Sequence, residues 1–182
     1  MTRIFLVRHG EAEKGANIHD PTLTKLGQQQ ATALAQSYSN IKPLKLISSP
    51  KLRAQQTAQP LANTWNVPII IEESMTEIPT PCGLALQQRI PWVRDLINQE
   101  WNKNDKQQTE WRERINNYLL SLTEDSIIFC HFMVINSVIA TIRQDCKVQQ
   151  FRPDYTSMTK IQIVESGLVL MELGNDKESA II

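Results

Sequence analysis

At 182 residues, with 41% hydrophobic and 21% charged positions, the chain has the size and composition of one globular domain able to bury a sizeable core. Nineteen basic residues balance nineteen acidic ones, so no overall field favours nucleic acid or an anionic membrane, and any anion must be held by a local cluster. No apolar run approaches membrane-spanning length, and the first strand starts almost at Met1, leaving no room for a removable leader.

Cys82, Cys130 and Cys146 form no CxxC pair and are odd in number, which reads as reduced thiols in a cytoplasmic protein with no metal bound through them. The apolar run Ile4-Phe5-Leu6-Val7 predicts a buried parallel strand. It ends in Arg8-His9-Gly10, where glycine lets the chain turn and leaves two chargeable side chains at the strand's carboxyl end. Turn formers follow from Ala12 to Leu23. Thr24 then predicts the N-cap of a helix running to about Tyr38, with Leu26, Ala31, Leu34, Ala35 and Tyr38 mostly on one face. Gly27 lies in its first turn, where a close approach by the loop after the first strand would account for it. Leu44 to Ser48 reads as a second strand. Ser49-Pro50 reads as the N-cap and first position of a helix that brings Arg53 one turn inside, with Pro60 at a kink.

Val67 to Ile71 is a third β-rich run, followed by Glu72, Glu73 and Glu77 and by Pro79 and Pro81. From Gly83 to Leu122 the pattern is helical: Pro91 stands in a first turn, Asn102 to Gln108 is a polar connector, and Trp111, Ile115, Tyr118, Leu119 and Leu122 follow at helical spacing. The tryptophans read as packing residues. Ser126 to Cys130 repeats the opening pattern and ends in His131, with a helix from about Val134 to Ile142. Lys160–Glu165, the turn Ser166-Gly167 and Leu168–Leu173 predict a hairpin. The fold expected is α/β: a three-layer α/β/α sandwich with a mostly parallel central sheet and an antiparallel C-terminal edge element. One domain spans 1–182, with 79–125 as a helical, cap-like insertion.

Arg8 and His9 follow one such strand, Arg53 follows a second and His131 a third. If those strands are neighbours, the four side chains meet at one sheet edge and form a phosphate pocket. A guanidinium fork matches phosphate oxygens, and a neutral imidazole nitrogen is a nucleophile.

Three ordered segments carry a family resemblance: Ile4-Phe5-Leu6-Val7-Arg8-His9-Gly10-Glu11, Leu23-Thr24-Lys25-Leu26-Gly27-Gln28-Gln29-Gln30-Ala31, and Ser48-Ser49-Pro50-Lys51-Leu52-Arg53-Ala54-Gln55-Gln56-Thr57-Ala58. Together they resemble the histidine phosphatase superfamily, also called phosphoglycerate mutase-like, over nearly the whole chain. The resemblance implies that His9 is a nucleophile that becomes phosphohistidine, and that Arg8, Arg53 and His131 hold the phosphoryl oxygens. It also suggests Glu77 as the acid that protonates the leaving oxygen and then helps water attack, with Glu73 and Glu11 as competitors. No cofactor is expected.

The sequence departs from the family pattern at three places. Phe132 follows His131 where the family usually has glycine, and is expected to change the loop, narrow the pocket or reposition the imidazole. Gly15 stands where the family has a phosphate-contacting asparagine, which leaves Asn17 as its replacement if the loop adapts. Pro79, Pro81 and Cys82 replace a glycine-bearing stretch. The expected activity is metal-independent hydrolysis of phosphomonoesters on a small phosphorylated substrate or a phosphoprotein. A non-catalytic phospho-ligand binder and, lower, a phosphoglycerate mutase are the alternatives. Substrate selectivity would lie in Ala12–Leu23 and Pro79–Trp111, and the oligomeric state is open.

Overall fold

The structure, a computed structural model, describes residues 1–15, 18–102 and 105–176. Its six-stranded sheet runs in the order β3-β2-β4-β1-β5-β6, formed by β1 (Thr2–Arg8), β2 (Lys45–Ser48), β3 (Ile70–Ile71), β4 (Ser126–Cys130), β5 (Met158–Val164) and β6 (Gly167–Glu172). The first four in that order are mutually parallel; β5 adds antiparallel to β1, and β6 antiparallel to β5. The sheet is the expected mixed one. β3 is the shortest part of the prediction to materialise, two exposed residues at an edge.

Alternation along the strands divides the core. Ile4, Leu6, Ile47 and Ile128 point to one face, where they meet α4 (Lys106–Ser121) and α5 (Phe132–Arg143). Val7, Leu46, Ile127 and Phe129 point to the other, under α1 (Lys25–Ser37) and α2 (Leu52–Trp65). β4, in the middle, is buried on both faces, which is why its sequence is uniformly apolar. Trp111 lies in the first core, its Nε1–H donating to the Thr76 carbonyl, and Trp92 packs against that core, so both are packing residues as expected.

Several boundaries differ from the sequence reading. Leu26 is half exposed, and the buried stripe of α1 is Gly27, Ala31, Leu34 and Ala35. Ser49 does not cap α2: Lys51 holds that position and makes no side-chain cap bond. The helix runs on through Pro60 to Trp65. In the 83–122 region the two expected helices form as α3 (Arg89–Leu96), preceded by a 3-10 turn at Leu86–Gln88, and α4, which begins inside the stretch read as a polar connector. α5 begins at Phe132, directly after His131, two residues before the pattern indicated. No helix among the described residues is long and apolar enough to cross a membrane.

The loop after β1 is held by residues of the two helix-start segments. The Gly10 N–H donates to Thr57 Oγ1 (2.9 Å), Glu11 N–H to Gln30 Oε1 (2.8 Å) and Leu23 N–H to Gln56 Oε1 (2.8 Å). Gly27 is the point of closest approach. A Cβ there would fall on the Glu11 carbonyl oxygen, and one on Gly10 would meet the Gly27 carbonyl oxygen at 2.8 Å. Because backbone on both sides leaves nothing flexible to yield, Gly27→Ala should destabilise the fold by about 3 kcal/mol. That corresponds to a Tm lower by roughly 6–12 °C for a chain of this size. A thermal melt superimposing on that of the unsubstituted protein would refute the close approach.

Candidate active site

The site follows from strand register. Arg8 pairs with Cys130, and Ser48 pairs with Phe129, so β1, β4 and β2 end level with one another. Beyond those pairs the His9 N–H donates to the Cys130 carbonyl (3.0 Å) and the Ser49 N–H to the Phe129 carbonyl (2.9 Å). His9, His131 and Ser49 therefore leave the sheet side by side. Arg53 is the second residue of α2, and its side chain returns over the strand ends. The structure thus brings together Arg8, His9, Arg53 and His131, all of them buried or nearly so.

His9 is fixed in one tautomer. Its Nδ1 lies 2.7 Å from the Gly10 carbonyl oxygen, which can only accept, so Nδ1 carries the proton. Nε2 is left with a lone pair and accepts the Arg53 Nε–H at 3.1 Å. Burial, then the Arg53 and Arg8 guanidiniums, hold the His9 pKa well below the usual histidine value against the smaller pull of the Gly10 carbonyl. The imidazole is neutral and its free nitrogen faces a cation.

The His131 ring stands edge-on to His9, with centroids 5.2 Å apart. Its Nε2 is 2.7 Å from Ser49 Oγ, which also accepts the Lys51 N–H at 3.3 Å. The serine hydroxyl proton is then free to point at Nε2, which puts the His131 proton on Nδ1. That Nδ1 and the Nε of Arg8 are buried without a hydrogen-bond partner. Orphaned buried donors are rare, and two of them beside two guanidiniums suit the oxygens of an anion.

Carboxylates surround this cationic floor. The Arg8 Nη1–H donates to the Pro153 carbonyl (2.8 Å), and Arg53 Nη1 lies 3.7 Å from Asp20 Oδ1. Asp20 also accepts the Leu52 N–H at 3.1 Å, which ties the guanidinium's partner to the start of α2. Burial pushes both guanidinium pKa values down, while the charge of Glu77 acts on each in the opposite sense. Glu77 lines a cavity of about 370 Å³ together with Arg53, Lys51, Lys14 and Arg89. Its competitors are placed otherwise: Glu11 Oε1 accepts the Thr24 hydroxyl (3.0 Å), and Glu73 is exposed in a 3-10 turn away from the cavity lining. Asn17 lies outside the described residues.

A profile of the histidine phosphatase superfamily (branch 1) matches residues 4–176. The chain belongs to that superfamily. It is 26% identical over 163 residues to "Probable phosphoglycerate mutase GpmB" of Erwinia tasmaniensis, covering 78% of this chain and 75% of the relative. It is 35% identical over 83 residues to "Phosphoserine phosphatase 1" of Hydrogenobacter thermophilus, covering 43% of this chain and 39% of that one. With the exception of the Erwinia protein, the match therefore spans only about half or less of these relatives' length. Among solved structures, YhfR of Bacillus stearothermophilus superposes with a TM-score of 0.79 at 20% identity, covering 97% of this chain and 98% of that one. Phosphoserine phosphatase of Entamoeba histolytica in complex with 3-phosphoglyceric acid gives 0.74 at 23%, with the same coverage. At these identities the structural likeness is one of fold.

Phe132 departs from the superfamily pattern. As the first residue of α5 it is 5% exposed and joins the core, with its ring 5.4 Å from Arg8 Cζ, while the two imidazoles stand with centroids 5.2 Å apart. Sequence reasoning missed Ser49 and Asp20 as partners of His131 and Arg53, because one reads as a helix cap and the other as a turn residue. It missed Tyr155, whose ring lies 4.2 Å from Arg8 Cζ, because nothing local marks that position.

Burial and the neighbouring cations keep both histidines neutral in this histidine phosphatase fold, and that has a pH signature. Their folded pKa lies below the unfolded value of about 6.5, so the unfolded chain binds more protons as pH falls past that value. Stability is present in full above about pH 6.5 and is lost as pH falls toward the folded pKa. The urea midpoint should drop between pH 7.5 and 5, and His9→Gln/His131→Gln should drop less steeply. Parallel pH profiles for the two proteins would contradict the buried neutral state.

Proposed function

We propose that this protein is a metal-independent phosphatase that hydrolyses phosphomonoesters through a phosphohistidine at His9. The observation that carries this reading is the His9 imidazole, with Nδ1 fixed by the Gly10 carbonyl and Nε2 unprotonated beside Arg53. Membership of the superfamily and relatives named as phosphatases support phosphatase chemistry.

In the proposed reaction the phosphoryl group enters between Arg8, Arg53 and His131, and its oxygens take the donors that lack partners. His9 Nε2 forms a bond to phosphorus as the bond to the leaving oxygen breaks, and Glu77 gives that oxygen a proton. Charge spreading over the phosphoryl oxygens is met by the two guanidiniums and the His131 Nδ1–H. Water then attacks phosphorus, Glu77 takes its proton, the phosphorus–nitrogen bond breaks, and inorganic phosphate leaves with His9 neutral again. Residues 13–15, 18, 19 and 21, with 76–80, 86, 89 and 90, form the walls around the leaving group, and those from 79 on belong to the proposed 79–125 cap within one domain. Lys14 and Arg89 in those walls, with Lys51 lining the same cavity, suit a small substrate carrying a second anionic group, as in the 3-phosphoglyceric acid bound by the Entamoeba enzyme.

A mutase, in which the phosphoryl group returns to a second acceptor instead of water, is favoured by the name of the Erwinia relative. The unprotonated Nε2 of His9 argues against a non-catalytic phospho-ligand binder, which has no need of a nucleophile.

Hydrolysis of p-nitrophenyl phosphate in EDTA should persist. His9→Ala should lose more than about a thousandfold in kcat and leave no acid-labile phosphoenzyme. Glu77→Gln should lose about a hundredfold with leaving groups of high pKa, and less with p-nitrophenolate, which departs without a proton. Turnover undiminished in His9→Ala would reject the nucleophile. Phosphate release from a panel of phosphorylated acids, run beside isomer interconversion of phosphoglycerates, separates hydrolase from mutase.

A further inference from the structure

Arg8 is gripped by a segment outside the three that carry the family resemblance. Between α5 and β5, residues 153–157 reach it four times. The Pro153 carbonyl accepts its Nη1–H, its own N–H donates to the Ser157 carbonyl (3.2 Å), its carbonyl accepts the Thr156 N–H (2.9 Å), and the Tyr155 ring lies 4.2 Å from its Cζ. A second ring, Phe132, is 5.4 Å from the same carbon. Phe132 is the residue that stands where the family usually has glycine.

The backbone of this segment is strained where it meets Arg8. Thr156 has φ of 55°, a left-handed conformation that a β-branched residue adopts only when its surroundings impose it. Its N–H and the neighbouring Tyr155 ring are what that conformation delivers to Arg8. The chemistry of the contact is selective. A guanidinium carries its donors in its plane and has weakly hydrated faces, so an aromatic ring can cover a face without consuming a donor. A carboxylate in the same place would neutralise Arg8 and occupy the donors an anion needs. Arg8 is 4% exposed, has one of its donors on Pro153, and keeps Nε free of any protein partner.

We infer that Tyr155, together with Phe132, is a positioning residue that holds the Arg8 guanidinium desolvated and in a fixed plane, with in-plane donors left for a phosphoryl group. The inference rests on the phosphate-site reading above. It predicts that the ring at 155 sets affinity for the phosphoryl group more than it sets stability, because Tyr155 is half-buried and belongs to neither core cluster.

The test is calorimetric binding of inorganic phosphate to the full chain, with KM and kcat for p-nitrophenyl phosphate alongside. Tyr155→Phe should bind within about twofold of the unsubstituted protein. Tyr155→Leu should bind about tenfold more weakly and raise KM more than it lowers kcat. A series of progressively fluorinated phenylalanines at 155, which alters ring charge at nearly constant shape, should weaken binding stepwise. This arm does not depend on the leucine variant folding. Leucine binding as tightly as tyrosine, phenylalanine binding as weakly as leucine, or a flat fluorination series would each overturn the aromatic role while leaving the site reading intact. Absence of phosphate binding by the unsubstituted protein would overturn both, and is seen before any variant is made.

Discussion

Two backbone hydrogen bonds, His9 N–H to the Cys130 carbonyl and Ser49 N–H to the Phe129 carbonyl, continue the parallel ladder one step past the ends of its strands. They hold β1, β4 and β2 in a register in which three chain segments leave the sheet at one level. Everything the site does depends on that alignment. Because side chains alternate along a strand, a slip of one residue would turn the strand's inward-facing residues the other way and carry a histidine out of the cluster. The register is held by burial on both faces of β4, where Ile127, Ile128 and Phe129 have no solvent-facing alternative.

The cost of this arrangement is electrostatic. Two guanidiniums and two imidazoles are withdrawn from water together, with Arg53 Nε on His9 Nε2 and the two rings 5.2 Å apart, and their mutual repulsion disfavours charge on the imidazoles. The imidazoles respond by staying neutral, which is the state a nucleophile requires. The guanidiniums cannot give up their charge, so the protein compensates around them: Asp20 and Glu77 by charge, the Pro153 carbonyl by a hydrogen bond, and Tyr155 and Phe132 by their ring faces. Within this cluster the Arg8 Nε and His131 Nδ1 donors remain unmatched, and an incoming anion is what would match them.

The helix-start segments do a different job from the one their residues suggest in isolation. Gln30, Gln56 and Thr57 face back to the loop after β1 and satisfy its backbone, and Gly27 lets that loop lie on α1. Ser49 gives up the cap of α2 to orient His131. The motif residues are thus mostly scaffolding that presents His9 and Arg53, and only a few face the cavity.

The strands, the major helices and the four side chains of the cationic site were legible in the sequence, since each is written in local terms: an apolar run, a turn residue, a chargeable group at a strand end. Glu77 could be narrowed down but not separated from Glu11 and Glu73, because all three are acidic residues following a strand, and only the fold turns one of them toward the guanidiniums. Ser49, Asp20, Tyr155 and the inward course of Phe132 were not legible. Their partners are 32 to 147 positions away in sequence, and a contact at that separation exists only once the chain has closed. Amino-acid order by itself determined which chemistry the protein carries and on which strand ends; tertiary structure decided which neighbours tune it, because pKa, tautomer and guanidinium orientation are set by whatever packs against a group in space.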